Sequence, residues 1–189
     1  MHGRVIRLGL IGGGAWGKNF IRTINHLDHI NLPLICSSDS KISNLVNHDC
    51  TVFSDWRDLI KSSAIDGVII ATPPNTHAEI ASAAISYNLP VLVEKPLTID
   101  FNEAKKLLIF AKKKKAIVKV DHTHLYHSSF RKLKKISFGL EGFNSIESFS
   151  GGLGPFRKDV RALWDWGAHD IAMCLDIVGR MPSFIEAEI

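Results

Sequence analysis

The sequence predicts an α/β protein built on a doubly wound parallel sheet, followed by the start of an incomplete α+β domain with an open antiparallel sheet. Short, almost wholly apolar segments such as Val68–Ala71 alternate with longer helical patterns. Strands that are apolar on both faces are typical of a parallel sheet covered by helices on each side. A glycine-rich turn directly follows the first apolar segment. We expect the sheet domain to span residues 1–122 and the partial domain residues 123–189.

The predicted strands are short and are rich in β-branched residues, and polar or turn-forming residues bound them. In chain order they are Val5–Ile11, Leu32–Cys36, Thr51–Phe53, Val68–Ala71, Val91–Glu94 and Ile117–Asp121.

Helical patterns separate these strands. In the first of them Phe20, Ile21 and Ile24 fall on one face, as expected for a helix packed on a sheet. The predicted helices are Ala15–Leu27, Lys41–Asn47, Asp55–Lys61, His77–Tyr87 and Phe101–Lys114.

Composition narrows the class of protein. The net charge of +4 suits an anionic ligand but is too small to indicate nucleic acid, and the run Lys112–Lys115 closes a predicted helix, where positive charge is favoured. Three scattered cysteines indicate neither a disulfide framework nor a zinc site. No apolar run approaches the roughly 20 residues of a membrane helix, and Met1–Arg4 does not open a signal peptide. We therefore expect a cytoplasmic protein without nucleic-acid or membrane partners.

The first strand runs into a G-x-G-x-x-G motif formed by Gly12, Gly14 and Gly17. The first glycine permits a tight turn, the second lets a pyrophosphate approach the backbone, and the third lets the helix pack on the strand. The phosphates would meet the N–H groups at the helix N-terminus. We expect Ala15 to contact the cofactor and Trp16 to cover the cofactor entrance. An ordinary glycine-rich turn is the alternative, but the position between a strand and a helix favours a dinucleotide-binding Rossmann domain.

The end of the second strand normally carries an acidic residue that binds the adenosine ribose of NAD. Here Ser37 occupies that position, with Ser38 and Asp39 after it. A small hydroxyl leaves room for the 2′-phosphate of NADP, yet no arginine follows to bind it, and Asp39 would repel it. NAD and NADP both remain open, with Asp39 favouring NAD.

Further motifs follow later strands: A-T-P-x-x-x-H over Ala71–His77, E-K-P over Glu94–Pro96, V-D-H-T over Val120–Thr123 and D-x-G-x-H over Asp165–His169. With the glycine motif, they resemble the Gfo/Idh/MocA family of NAD(P)-dependent sugar oxidoreductases. The V-D-H-T form is most similar to members that act on sugar nucleotides for surface polysaccharides. The resemblance implies further cofactor contacts by Ala71, Thr72, Pro73, Asn75, His77, Glu94 and Lys95.

The resemblance also implies a reaction in which a sugar hydroxyl is oxidised to a ketone while hydride passes to the nicotinamide. His169 matches the general base, and Lys95 matches the lysine that contacts the substrate hydroxyl and the nicotinamide ribose. Asp165 lies four residues before His169, one turn away on a predicted helix, where it can orient the imidazole. Substrate contacts are implied for Lys95, His122, Asp165, Trp166 and His169.

Less specific interpretations exist for several of these residues. Lys95 could be a solvated strand-end lysine, His77 could cap a helix, and Trp166 could pack in a core. His122, His124 and His127 resemble a metal site at first sight, but their spacing straddles a strand end and a turn. We therefore expect no metal ion there.

Family members continue into a large antiparallel sheet that forms the substrate wall and usually the subunit interface. Here Phe143–Ser150 is predicted as its first strand, Trp164–Val178 as a helix and Ser183–Ile189 as a second strand. The sequence leaves open whether the chain is a fragment or a natural truncation. A non-catalytic dinucleotide-binding module is therefore the alternative function, and a homo-oligomer is implied by the resemblance alone.

Overall fold

The computed structural model describes residues 4–139, 144–152 and 162–188. The chain divides into two compact units, Met1–Asp121 (the N-terminal unit) and His122–Ile189 (the C-terminal unit).

The N-terminal unit contains six parallel strands in one sheet, which confirms the predicted α/β class. Their bounds are β1 Ile6–Ile11, β2 Ile30–Cys36, β3 Thr51–Phe53, β4 Gly67–Ile70, β5 Val91–Glu94 and β6 Val118–Asp121. The strand order is β3-β2-β1-β4-β5-β6, so the chain reverses direction across the sheet between β3 and β4. In sheets of this order, ligands bind outside the carboxyl ends of the strands near β1 and β4.

Four helices of the N-terminal unit connect these strands. They are α1 Ala15–Ile24, α2 Trp56–Ile60, α3 His77–Ser86 and α4 Phe101–Lys114, with 3₁₀ turns at Ile42–Asn44 and Pro74–Thr76. Side chains set two of the helix starts: Asp55 accepts the backbone N–H of Arg57, and Asp100 accepts that of Glu103.

Adjacent residues of one strand face opposite sides of the sheet. Ile11 packs in a cluster with Leu59 of α2 and Ile80 of α3, whereas the neighbouring Leu10 packs with Ile21 of α1. All five side chains are almost fully buried. Two apolar layers of this kind explain why the strands are apolar on both faces.

One predicted helix of the N-terminal unit is wrong. Lys41–Asn47 forms only the short 3₁₀ turn Ile42–Asn44, in which the Asn44 N–H bonds to the Lys41 carbonyl. Serine and asparagine compete with the backbone for hydrogen bonds and favour such turns over helices. Helix α1 also ends earlier than predicted, because Asn25 is its C-cap and the His26 N–H turns back to the Thr23 carbonyl.

In the described part of the C-terminal unit the regular elements are helices, and residues 144–152 and 179–188 form none. After a 3₁₀ turn at Thr123–Tyr126 come α5 Ser128–Phe138, α6 Ala162–Asp165 and α7 Gly167–Val178. Lys134 of α5 and Asp176 of α7 form an ion pair 2.7 Å long.

The strands predicted at Phe143–Ser150 and Ser183–Ile189 are not found in their described parts, 144–150 and 183–188. Strands form by pairing, and the described residues of this unit offer no partner strand. Phe143 and Ile189 lie outside the described residues. Among the helices of the described ranges, none is both long enough and apolar enough to span a bilayer.

Candidate functional site

The turn after β1 needs glycine for backbone reasons. Gly12 has a φ of +107°, and a Cβ there would lie 2.4 Å from the carbonyl oxygen of Ala71. A Cβ on Gly17 would lie 2.0 Å from the carbonyl oxygen of Gly12. The first and third glycines of the motif therefore hold the turn and the close approach of α1 to the strand.

Gly14 differs from both, because a Cβ built on it would meet no atom within 4 Å. It is the N-cap of α1, which has no side-chain cap and no acidic residue in its first turn. A helix N-terminus without side-chain acceptors presents backbone N–H groups and a partial positive charge to an anion. The open space beside Gly14 thus fits the pyrophosphate of a dinucleotide.

Gly13 is a glycine whose importance the motif analysis missed. A Cβ there would lie 2.3 Å from the Ser37 hydroxyl oxygen and 2.9 Å from Cδ1 of Ile42. The glycine loop therefore packs directly on the end of β2. The sequence signal was the unbroken run Gly12–Gly14.

The segment after β2 is tied together by hydrogen bonds. The Ser37 hydroxyl accepts the backbone N–H of Asp39 at 3.0 Å, and Asp39 accepts that of Lys41 at 3.0 Å. The Lys18 ammonium on α1 lies 2.9 Å from Asp39 Oδ2, and this hydrogen bond, with that of the Lys41 N–H, lowers the pKa of Asp39. Sequence reasoning predicted Ser37, Ser38 and Asp39 as cofactor contacts but missed Lys18, which neutralises the Asp39 charge.

The loop after β4 carries the A-T-P-x-x-x-H motif. Ala71 donates its N–H to the Ile11 carbonyl at 2.8 Å, which places the loop next to the glycine turn. The Thr76 hydroxyl lies 2.7 Å from that of Thr72. Pro73 and Asn75 are exposed and can meet a ligand.

His77 begins α3 and is completely buried. Its Nδ1 lies 2.9 Å from the Pro96 carbonyl oxygen and its Nε2 lies 2.8 Å from the Thr72 carbonyl oxygen. Burial lowers the pKa of His77, and hydrogen bonds to the backbone oppose that shift. The ring therefore links the loop after β4 to the loop after β5.

The E-K-P motif ends β5. Glu94 is 5% exposed, and its Oε2 accepts the Lys95 backbone N–H at 3.2 Å. Burial and the neighbouring Asp121 raise the pKa of Glu94 to about 7, and Lys95 partly offsets the rise. The Lys95–Pro96 peptide bond is cis. In the N-terminal unit, the parallel strands thus bring the glycine loop, the Ala71–His77 loop and Lys95 to one edge of the sheet.

The predicted helix Trp164–Val178 is two helices in the structure. Asp165 ends α6, Trp166 lies between the helices, and Gly167 begins α7. His169 donates its backbone N–H to the Trp166 carbonyl at 2.9 Å. The expectation that Asp165 and His169 lie one turn apart on a continuous helix is therefore wrong, because the helix restarts between them.

His169 is buried in the C-terminal unit, where it contacts two other histidines. The rings of His124 and His169 are stacked with centroids 3.8 Å apart, and His122 meets His169 edge-on at 6.5 Å. His127 has a separate task, since its ring caps α5 by accepting the Ser129 N–H at 3.3 Å. In the described part of the chain no three His, Cys, Asp or Glu residues form a metal site. Sequence reasoning missed the His124 stack.

The tryptophans predicted to contact ligands lie at the surface of their own units. Trp16, in the first turn of α1, is 44% exposed, and Trp166 is 40% exposed. Neither indole is therefore buried in the core of its unit, which leaves both available to a ligand.

Comparisons with known proteins agree with this geometry. Residues 6–122 match a family described as an oxidoreductase family with an NAD-binding Rossmann fold. The rhizopine catabolism protein MocA of Rhizobium meliloti is 26% identical over 94% of this chain and 58% of its own length. The UDP-N-acetylglucosamine 3-dehydrogenase of Acidithiobacillus ferrooxidans is 29% identical over 96% of this chain and 57% of its own length.

A solved structure is also similar to this chain over most of its length. A protein from Magnetospirillum magnetotacticum MS-1, proposed to be an oxidoreductase, is 44% identical and superimposes with a TM-score of 0.84 over 95% of this chain and 59% of its own. The chain thus spans somewhat more than half the length of these relatives. The glycine turn, the open space at Gly14 and the family match agree, and we conclude that the chain belongs to the Gfo/Idh/MocA family of oxidoreductases, which have an NAD(P)-binding Rossmann fold.

Proposed function

We propose that this chain supplies the cofactor-binding and catalytic part of an NAD(P)-dependent dehydrogenase that oxidises a ring hydroxyl of a sugar or sugar nucleotide. The observation that carries the proposal is the meeting of the glycine loop and Lys95 at one edge of a parallel sheet. The relative named for UDP-N-acetylglucosamine supports a sugar-nucleotide substrate.

The N-terminal unit would hold the dinucleotide through segments that all follow strands. The pyrophosphate would lie against Gly12–Gly17, the adenosine ribose against Ser37–Asp39, and the rest against Ala71–His77 and Lys95, whose backbone Glu94 anchors. When bound, NAD(P) supplies a nicotinamide ring that exchanges a hydride with a carbon atom.

Lys95 would act on the substrate oxygen. Oxidation of a hydroxyl builds negative charge on that oxygen, and an ammonium group aimed at it stabilises the charge. Lys95 follows Glu94, whose carboxyl accepts its backbone N–H, so the backbone that presents the lysine is anchored. We assign Lys95 the role of stabilising and orienting this oxygen.

His169 would take the hydroxyl proton. An imidazole exchanges protons near neutral pH, which suits a general base for alcohol oxidation. His169 is 7% exposed and lies under the stacked ring of His124, so its ring is restrained by packing. We assign Asp165 and Trp166, which precede it in the chain, to substrate contacts, together with His122.

A second function is favoured by the described residues of the C-terminal unit, which contain no strand that could form a substrate wall. A module of this kind would bind the dinucleotide without turnover and would act as a redox-state sensor or as a partner subunit.

Two measurements on this chain separate these functions. The first is a titration with NADH and with NADPH, followed by energy transfer from tryptophan to the nicotinamide. The second is oxidation of UDP-N-acetylglucosamine with NAD or NADP, followed by absorbance of the reduced cofactor. The variants are Lys95→Ala and, as a matched control, Lys105→Ala on the exposed side of α4.

Turnover that Lys95→Ala abolishes and Lys105→Ala retains, with cofactor binding intact in both, supports the dehydrogenase. Binding without turnover in the unchanged chain supports the module. Failure to bind either cofactor contradicts both functions for this chain.

A further inference from the structure

Two carboxyl groups lie side by side at the edge of the sheet that presents Lys95. Glu94 is the last residue of β5 and Asp121 the last residue of β6, and the two are direct partners in the parallel pairing. Directly paired residues of neighbouring strands project from the same face of the sheet. The register therefore places the two acidic side chains next to each other.

Glu94 is poorly supplied with hydrogen-bond donors for an ionised group. It is 5% exposed, and Oε2 accepts the backbone N–H of Lys95. Its Oε1 is buried and has no hydrogen-bond partner within residues 4–139, 144–152 and 162–188. A buried carboxylate is stable only when hydrogen bonds or opposite charges compensate for lost water, and a second carboxylate beside it adds repulsion.

We propose that Glu94 and Asp121 hold one proton between them at neutral pH, and that the neutral acid form of Glu94 is the form that positions Lys95 for its task. The shared proton is independent of the function proposed above. The positioning of Lys95 rests on that function. The proton comes from solvent, and no bond other than the carboxyl O–H forms or breaks. Glu94 is a positioning residue here, since it acts through Lys95.

The charged groups around the pair agree with this assignment. Burial is the largest cause that raises the pKa of Glu94 to about 7, followed by the charge of Asp121, while Lys95 lowers it through its N–H and its charge. Burial also raises the pKa of Asp121, against the opposing charge of Lys119. His77, whose ring bonds to the Pro96 carbonyl, is the titratable group that α3 contributes to this loop.

A shared proton has a consequence for Lys95. With one proton present the pair carries a single negative charge, which matches the single positive charge of the ammonium. Loss of that proton places a second negative charge beside Lys95 and draws the ammonium toward the pair. Lys95 would then be less available to a substrate oxygen.

The first test needs neither cofactor nor substrate. Carboxyl carbons of the ¹³C-labelled chain are followed by NMR as pH is raised, and Glu94→Gln identifies the Glu94 signal by its loss. We expect Glu94 to titrate near neutral pH, and at a pH lower by about one unit or more in Asp121→Asn. Titration of Glu94 below about pH 5 in the unchanged chain, or an unchanged midpoint in Asp121→Asn, overturns the shared proton.

The second test uses the similar shapes of glutamine and a protonated glutamate. If the neutral form is the working form, Glu94→Gln retains sugar-nucleotide oxidation within about threefold of the unchanged chain at pH 6, and the ratio of its rate to that of the unchanged chain rises between pH 6 and pH 8. Glu94→Ala loses most activity at both pH values. A loss greater than about tenfold in Glu94→Gln at pH 6 overturns the positioning role.

If the chain binds cofactor without turnover, the NADH dissociation constants of the unchanged chain, Glu94→Gln and Glu94→Ala are compared instead. Failure of the proposed function would appear as absent binding or absent oxidation in the unchanged chain. The NMR titration would still decide whether the two carboxyl groups share a proton.

Discussion

The ammonium of Lys18 lies 2.9 Å from Oδ2 of Asp39, so a residue of the first turns of α1 neutralises the acidic group that follows β2. Asp39 alone would repel the 2′-phosphate of NADP. Paired with Lys18, Asp39 has its charge neutralised, and under the proposed function, in which the ribose lies against Ser37–Asp39, the ammonium would be available to that phosphate. The ion pair is therefore the feature that should set the preference between the two cofactors.

We expect Lys18→Gln to weaken NADPH binding relative to NADH by about fivefold, since an exposed charge interaction contributes about 1 kcal/mol. Asp39→Asn should shift the preference in the opposite direction. The measurement is a titration of each variant with both reduced cofactors at low and high salt. A ratio of NADH to NADPH affinity that neither substitution changes would show that the ribose binds elsewhere.

Substitutions of two glycines in the motif should affect different properties, one the stability of the fold and the other the affinity for the cofactor. A Cβ on Gly17 would lie 2.0 Å from a backbone oxygen, so Gly17→Ala should destabilise the fold by about 1–3 kcal/mol. A Cβ on Gly14 meets nothing within 4 Å, so Gly14→Val should fold nearly normally but weaken cofactor binding by at least ~2 kcal/mol, roughly thirtyfold. Urea unfolding and cofactor titration measure the two effects. Wild-type cofactor affinity in Gly14→Val would mean that the pyrophosphate does not approach this residue.

The buried Glu94 should make stability depend on pH. Its pKa is raised to about 7 in the folded chain, so the folded state binds the proton more tightly than the unfolded state does. The stabilisation is complete below the unfolded pKa of about 4.3 and is lost as pH rises to about 7. We expect the free energy of unfolding to fall in this window by on the order of 2 kcal/mol relative to Glu94→Gln.

Urea unfolding at pH values across this window measures the difference, and the exposed Glu147→Gln is the control. Parallel stability curves for the unchanged chain and Glu94→Gln would show that Glu94 is ionised in the folded protein.

His77 should contribute strongly to stability and should make the fold sensitive to acid. Its ring is fully buried between two carbonyl oxygens, so His77→Ala should cost about 2–4 kcal/mol in unfolding free energy. The pKa of His77 is lowered by burial, so the folded state binds its proton less tightly than the unfolded state. Stability should therefore fall as pH drops below about 6.5, the unfolded value. The exposed His26→Ala provides the comparison; equal effects from both substitutions would contradict the assignment.

Local sequence patterns predicted most of the strands and helices of the N-terminal unit. The strands Thr51–Phe53 and Val91–Glu94 and the helix Phe101–Lys114 have the predicted bounds. In that helix Asp100 caps the start, while Lys115 ends it in the left-handed region with a φ of 53°. Such signals lie within a few residues of the element that they terminate, so sequence alone can locate them.

The parts that sequence analysis missed depend on contacts between distant segments. Gly13 matters because Ser37 packs on it, and Lys18 matters because Asp39 lies beside it. The pairing of Glu94 with Asp121 depends on the register of two strands. Helix Ser128–Phe138 is not among the predicted helices, although His127 caps its start by accepting the Ser129 N–H. The strands predicted at Phe143–Ser150 and Ser183–Ile189 are not found in their described parts, since a strand needs a partner strand and the described residues of the C-terminal unit offer none.

The ring of His77 has a mechanical consequence for the ligand-binding edge. It touches the carbonyl of Thr72 on one loop and that of Pro96 on the next, and Lys95 immediately precedes Pro96. The two loops cannot move apart without breaking a contact of the His77 ring and leaving polar groups buried without a hydrogen-bond partner. Motion of one loop is therefore transmitted to the other through a single rigid five-membered ring, and the backbone of Lys95 moves in step with the loop that follows β4.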